Sequence, residues 1–218
     1  MYCEQEAERF IGHFNEEVMK VLKVESRLFK KILLFTVLDS LGRACYGSDI
    51  NHHEKMIKTI SDLANWRDKD RVSSPQLKVA LENMDPAGSV RGKLARKIET
   101  WGEGSVVPIS GEYKLEELTD GVNSDTQALI MKYTHKERFY VYRNTLIHEF
   151  REPGHGFEHY EDENPFYISV DDDWELVYPL FFIKNIVINV LNSLPAYFKQ
   201  NNINPYDNYT FGSPWGRQ

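Results

Sequence analysis

The stretch that decides the fold runs from Ser124 to Arg151 and reads SDTQALIMKYTHKERFYVYRNTLIHEFR. It contains neither proline nor glycine, it opens with Ser124 and Asp125 as candidate N-caps, and it stops just before Pro153-Gly154. The pattern therefore predicts one long helix over these residues.

The second half of this stretch has an unusual apolar face. At 3.6 residues per turn, five large apolar side chains fall within about 100° of one another. They are Phe139, Tyr140, Leu146, Ile147 and Phe150. Arg143 projects from the middle of this face, and His148 lies about 140° further round an α-helix. His135, earlier in the stretch, is expected on the solvated side.

Length and composition place the chain among ordinary globular proteins. It has 218 residues, two cysteines and a formal net charge of −7, which argues against a general basic coat for nucleic-acid binding. A local basic cleft remains compatible with that sum.

The cysteines, Cys3 and Cys45, suggest a reducing compartment. The first ten residues, MYCEQEAERF, lack an apolar signal core, and no run approaches transmembrane length. We therefore predict a cytoplasmic protein without a membrane partner.

The remaining pattern predicts an all-α helical bundle. Helices are expected over residues 5–23, from Ser26 to Tyr46, from Asn51 to about Trp66, and from Pro179 to about Phe198. A small β-hairpin is expected before the last helix, with strands 166–170 and 174–178. We predict a single domain over 1–200, with 67–123 as a helical insertion whose residues 102–123 form a loop. Residues 201–218 are predicted to be an irregular C-terminal tail.

The second predicted helix is apolar nearly all round, which is typical of a central helix in a bundle. Asp39 interrupts its apolar surface. An isolated buried charge is costly, so a paired arrangement is expected, and Arg143 is the predicted structural partner of Asp39.

The segment Arg143-Asn144-Thr145-Leu146-Ile147-His148 resembles the Arg-x4-6-His motif of the HEPN superfamily. Asn144 also matches that family's habit of a polar residue straight after the arginine, and the motif lies near the end of a predicted long helix. The resemblance covers roughly residues 5–66 and 124–198. It implies a HEPN-like bundle that dimerises, so that two motifs meet as a metal-independent ribonuclease site, with a role in defence or stress response. Other members of that family are non-catalytic binding or interaction modules.

The chemistry of these residue types is compatible with RNA cleavage by the RNA's own 2′-OH. Such a hydrolase needs proton-transfer groups and positive charge on the phosphorane. His148 can transfer protons near neutral pH, Arg143 can hold phosphate, and Asn144, four residues before His148, can orient the ring. One chain supplies one such histidine, which favours a homodimer. Lys132 and Lys136 share an angular sector with Arg143 on a continuous helix and are candidate substrate-binding residues.

Three other interpretations stay open. The chain could be a non-catalytic module that binds a nucleotide or a partner protein, such as an antitoxin or regulatory protein. It could also be a purely structural bundle in which Arg143 is an ion-pair member and His148 stabilises a helix C-terminus. His155, Glu158 and His159 have a spacing that could suit a metal, but they lie in a loop and HExxH is absent, so no metal or cofactor is expected.

Overall fold

The computed structural model describes residues 1–82, 88–102, 104–159, 162–171 and 173–209. Within these ranges the chain is predominantly helical, with ten α-helices and one small antiparallel sheet. This confirms the helical character predicted from the sequence. The chain divides into two compact units, Met1–Trp66 with the chain from Ile183 onward, and Arg67–Phe182.

The first unit contains three helices from the N-terminal third of the chain and the C-terminal helices. Its elements are α1 (Glu4–Val21), α2 (Arg27–Tyr46), α3 (His52–Leu63), the greater part of α9 (Leu180–Gln200), and α10 (Pro205–Asn208). The first three helices lie close to where the sequence predicts them, and two of them begin at a side-chain N-cap. The side chains of Ser26 and Asn51 accept hydrogen bonds from the backbone N–H groups of Phe29 and Glu54.

Helices α2 and α3 approach closely at a glycine. A Cβ atom added at Gly42 would lie 2.6 Å from Oγ1 of Thr59, whose hydroxyl donates to the carbonyl of Lys55. The absence of a side chain at Gly42 therefore permits this packing distance.

Helix α9 is apolar and long. It is the one helix among the described residues that is long and apolar enough, by length and composition, to cross a membrane, although the sequence analysis found no such run. Core helices of soluble proteins pass the same test. Val187, Val190 and Leu194 are buried, and Ser193 and Asn189 donate to the carbonyls of Leu63 and Ala64. These residues belong to its buried face, 39% of its most apolar window is buried, and the cytoplasmic location stays a prediction.

The second unit holds shorter helices and the sheet. Its helices are α4 (Ser74–Ala80), α5 (Gly88–Glu99), α6 (Leu115–Thr119), α7 (Ser124–Met131) and α8 (His135–Asn144), followed by a π-helical segment (Thr145–Glu149). A buried apolar cluster fills the space between α4, α5, α6 and α7 and is formed by Val72, Leu77, Leu81, Val90, Leu94, Leu118 and Ile130.

The predicted hairpin is present, as part of a larger sheet. Strands β2 (Phe166–Val170) and β3 (Asp173–Val177) pair in antiparallel register, with Phe166 opposite Val177. A third strand, β1 (Val106–Pro108), pairs with the other edge of β2. The prediction of a loop over 102–123 is therefore wrong, since this range supplies β1 and α6; three residues of strand are too few to leave a periodic pattern.

The predicted single helix from Ser124 to Arg151 is also wrong. The chain leaves the helical conformation between Met131 and His135, where Thr134 is extended and forms an isolated antiparallel bridge with Val72. The backbone of Ser73 donates to the carbonyl of Tyr133 over 2.9 Å. Bonds to a distant segment thus replace the helical ones, and no proline or glycine was needed to interrupt the helix.

The C-terminal prediction needs one further correction. Residues 205–208 form α10, capped by the Asn204 side chain, so the start of the predicted irregular tail is ordered. Residues 210–218 lie outside the described residues. The segment 67–123, predicted as an insertion, belongs to the same compact unit as α7 and α8. The single domain over 1–200 stays a prediction.

Candidate functional site

Helix α8 is positioned by an aromatic cluster on its buried face. The rings of Phe139 and Tyr142 each have their centroid 5.2 Å from that of Tyr178, and Phe139 also meets Phe182 at 5.8 Å. The hydroxyl of Tyr178 donates to the carbonyl of His135 at the start of the helix. Edge-on aromatic pairs of this kind add to burial and fix helix rotation. The next residue along, Arg143, therefore has a defined direction.

Arg143 is buried, as its place within the apolar face predicts. Its side chain is 7% exposed, and Nη1 donates to the carboxamide oxygen of Asn144 over 3.0 Å. A planar guanidinium fixed by such a bond keeps its other N–H groups in a set orientation. The structure thus brings together two of the three predicted motif residues.

His148 lies in the π-helical segment that continues α8. Hydrogen bonds from i to i+5 widen the turn, so residues five apart lie closer to the same face than the about 140° of an α-helix would allow. Arg143 and His148 are five apart, and the π-helical segment begins between them at Thr145. His148 itself is exposed. The segment ends at Phe150, which takes a left-handed conformation with φ of 56°.

Two apolar side chains near His148 are exposed. Val141 is 43% exposed and Phe150 is 60% exposed. Phe150 was predicted to lie on the buried apolar face, and the change from α to π geometry together with the left-handed residue turns it outward. Single exposed apolar residues are common on monomers, but a pair that flanks a polar motif is compatible with a surface that a partner covers.

The two candidate substrate-binding lysines separate. The angular alignment of Lys132, Lys136 and Arg143 assumed a continuous helix, and the interruption before His135 removes it. Lys132 is exposed, whereas Nζ of Lys136 lies 2.7 Å from a carboxylate oxygen of Asp70. Lys136 is thus partly neutralised and turned toward the segment before α4.

Asp39 lies on α2 in the first unit, while Arg143 lies in the second. The carboxylate of Asp39 is 15% exposed, and its Oδ1 lies 3.8 Å from Nδ1 of His52. Pairing of Asp39 with Arg143 stays a prediction.

The ring of His155 in the acidic loop is bonded to a residue of β3, and the backbone N–H of His159 donates to Asp162. Nδ1 of His155 is hydrogen-bonded to the carboxylate of Glu175, and the carboxylate of Glu158 accepts from the backbone N–H of Leu180 at the start of α9. Within the described ranges, no group of three or more His, Cys, Asp or Glu side chains is arranged to hold a metal ion.

A buried polar network in the second unit escaped the sequence analysis. The carboxylate of Glu112 accepts from both the N–H and the hydroxyl of Ser74, and the hydroxyl of Tyr167 donates to Ser73 over 2.8 Å. Burial raises the pKa of Glu112, against the hydrogen bonds from Ser74, which lower it. These residues come from three distant parts of the chain, so no local spacing could reveal them.

His135 is the clearest error of the sequence analysis. It was expected on the solvated side, yet its ring is fully buried. Burial, followed by the charges of Arg71 and Arg138, lowers the pKa of His135 to about 3. The ring is therefore neutral near neutral pH, and it is unsuited to repeated proton transfer there.

Comparison of the chain with protein families, with curated proteins and with solved structures found no match.

Proposed function

We propose that this chain is a metal-independent endoribonuclease of the HEPN type, with a composite active site at a homodimer interface. The observation that carries the proposal is the arrangement at the end of α8. Arg143 is bonded to Asn144, and the exposed His148 follows in a π-helical segment. The π-helical segment forms the C-terminal end of this helix and stops at the left-handed Phe150, so His148 lies in its last turn, at the surface.

In the proposed reaction the RNA supplies its own nucleophile. The 2′-OH attacks the adjacent phosphorus, the 5′-oxygen leaves, and a 2′,3′-cyclic phosphate remains. His148 of one protomer accepts the 2′-OH proton, and His148 of its partner protonates the leaving oxygen. Arg143 stabilises the charge on the phosphorane, and Asn144 holds the guanidinium in position. The reaction balances without a metal ion or cofactor.

A homodimer is part of this proposal because one motif supplies a single exposed histidine. The exposed side chains of Val141 and Phe150, which precede and follow the motif in the sequence, are apolar surface that an interface could cover. Light scattering at tens of micromolar should return twice the chain mass of 25.5 kDa. A monomer at that concentration would remove the composite site.

Activity is tested with purified protein and single-stranded RNA in the presence of a chelator. His148→Ala should lower the cleavage rate by about a hundredfold or more, which is the usual contribution of a general acid or base. His53→Ala is the matched control, since His53 is exposed and lies outside the motif. Cleavage that needs a divalent metal, or that survives His148→Ala, would contradict the mechanism.

Burial of Arg143 favours a second candidate, a non-catalytic module that binds a nucleotide or a regulatory protein. A guanidinium that is 7% exposed has little surface for an RNA phosphate. In a purely structural bundle, the third interpretation, Arg143 acts only as an ion-pair member, and Asp39 is its predicted partner. Removal of one member of a buried pair typically costs about 3–5 kcal/mol.

A double-mutant cycle separates the two roles. If Asp39 and Arg143 are paired, then Asp39→Ala and Arg143→Ala each destabilise the fold, and the double variant loses less than the sum of the two. Strictly additive losses would exclude the pair. A protein with coupled residues and no RNA cleavage would support a non-catalytic chain, either the binding module or the structural bundle.

A further inference from the structure

The second unit contains a cleft that none of the motif residues lines. Its volume is about 330 Å³, and its walls are formed by Arg67, Asp70, Arg71, Lys114 and Glu116. That volume is at the lower end of the range for small-molecule sites. Three of the five lining side chains are cationic, in a protein whose formal net charge is −7.

Arg71 is fixed in place and keeps part of its guanidinium available. Its Nε donates to the carboxylate of Asp68 over 2.7 Å, and its Nη1 donates to the backbone carbonyl of Glu112. Nη2 makes no hydrogen bond to any described residue, and Arg71 lines the cleft. A guanidinium held on two sides loses little entropy when its free edge binds a planar or tetrahedral anion.

Lys114 lies directly opposite Arg71. The two residues are partners in an isolated antiparallel bridge. Residues directly opposite in such a pair have their Cβ atoms about 5 Å apart and share one side of the ladder. Both side chains line the cleft, so an anion that binds between their cationic groups is attracted by both.

Arg67 adds a third cation without a counter-ion. Neither Arg67 nor Lys114 forms a side-chain ion pair with any residue in the described ranges. Asp70, the nearest candidate on the cleft wall, is already paired with Lys136 at 2.7 Å and Lys69 at 3.6 Å. The positive charge of the cleft is therefore not cancelled by its own aspartate.

We infer that this cleft binds the phosphate group of a small phosphorylated molecule. A guanidinium with a free edge, a facing ammonium group and a second arginine match the oxygen atoms of a phosphate dianion or a diphosphate. The volume of about 330 Å³ suits a small phosphorylated molecule better than a long polyanion such as RNA, while the exposed carboxylate of Glu116 on the wall weakens the attraction for any anion. The inference does not depend on the ribonuclease proposal, since it involves no motif residue.

The test uses inorganic pyrophosphate as the probe, with full-length protein and titration calorimetry at constant ionic strength. Pyrophosphate should bind with one-to-one stoichiometry, while an equal ionic strength of chloride gives no heat. Arg67→Ala and Lys114→Ala should each weaken binding about tenfold or more, as expected for a lost charge-assisted hydrogen bond. Arg71 is left unchanged, because its bonds to Asp68 and Glu112 also support the fold.

Arg96→Ala is the matched control. It removes the same charge from an exposed position on α5 in the same unit, away from the cleft. Affinity for pyrophosphate should stay unchanged in this variant. Equal weakening by Arg96→Ala would reveal a general charge effect and overturn the cleft as the site.

A nucleoside diphosphate and a single-stranded RNA oligonucleotide complete the experiment. The nucleoside diphosphate should bind at least as tightly as pyrophosphate, and both should compete. Absence of pyrophosphate binding, or binding of RNA alone, would refute a site for a small phosphorylated molecule. These outcomes are independent of RNA cleavage, which His148→Ala tests separately.

Discussion

His135 offers the sharpest test of the energetics of the second unit. It is the first residue of α8, its backbone N–H donates to the carbonyl of Arg71 over 2.8 Å, and its ring is fully buried. Burial is the main cause that lowers the pKa of this histidine from 6.5 to about 3. We predict that acidification destabilises the protein through this one ring, and that a variant without a titratable group at 135 loses that dependence.

The sign follows from proton linkage. The folded-state pKa lies below the unfolded-state pKa, so the unfolded chain binds a proton in the window from about 6.5 down to about 3 while the folded chain does not. The contribution of His135 to stability is therefore complete above that window and declines as pH falls through it. Between pH 7 and pH 5 the loss amounts to about 2 kcal/mol, at about 1.4 kcal/mol per pH unit below 6.5.

The assay compares free energies of unfolding in urea at pH 7 and pH 5 for wild type and His135→Gln. Fluorescence of Trp101, whose ring stacks on Tyr167 at 5.2 Å, reports on the same unit. Carboxylates titrate equally in both proteins, so the difference between their pH dependences isolates His135. That difference should be about 2 kcal/mol. His53→Gln, at an exposed position outside the motif, is the control and should retain the pH dependence of wild type.

Equal pH dependences in wild type and His135→Gln would refute the reasoning, since the ring would then bind its proton as readily in the folded protein as in the unfolded chain. If His135→Gln does not fold, the ring proton resonances of wild type supply the same answer. They should stay unshifted for His135 between pH 7 and pH 5. A titration midpoint near 6.5 would contradict the burial argument.

Three further predictions concern single contacts. Gly42→Ala should lower the free energy of unfolding in urea by about 1 kcal/mol or more, because the new methyl group meets Oγ1 of Thr59. The loss is expected although alanine has a better helix propensity than glycine. Adding Thr59→Ala to the same chain should restore the lost stability. Glu112→Ala should lower the free energy of unfolding by about 2–4 kcal/mol, since the N–H and hydroxyl of Ser74 both lose a buried acceptor; a loss below 1 kcal/mol would mean that water replaces it. Burial raises the pKa of the Cys45 thiol, so a thiol reagent should modify only Cys3 in the folded chain and both cysteines after unfolding. Rapid reaction of both cysteines in the folded state would place Cys45 at the surface.

The sequence predicted those elements whose signals are local. Ser26 and Asn51 cap α2 and α3 as expected, and Gly47 ends α2 with a positive φ of 65°. The two short β-like runs on either side of a group of aspartates also predicted the hairpin of β2 and β3. In each case the residues that determine the element lie within a few positions of it. The sequence pattern left the burial of Arg143 open, and the structure shows the residue buried although Phe150 of the predicted apolar face is exposed.

The sequence could not predict features that depend on distant partners. The interruption before α8 requires Val72 opposite Thr134, which are far apart along the chain. The burial of His135 follows from the same pairing, because the polar residues around it gave no sign of a core position. The π-helical segment after Asn144 likewise has no composition that sets it apart from α-helix. Because the spacing of 3.6 residues per turn does not hold in a π-helical segment, the sequence pattern could not predict the orientation of His148.

The candidate motif thus depends on a segment that the sequence pattern predicted to be part of an insertion. Thr134 provides no side-chain cap for α8. Instead, the first two N–H groups of the helix, at His135 and Lys136, donate to the carbonyls of Arg71 and Lys69 over 2.8 and 2.9 Å. These are donors that a helix start leaves unsatisfied. Removal of 67–123 would therefore expose them and release the N-terminal end of the helix that carries Arg143, so this segment is integral to the second unit.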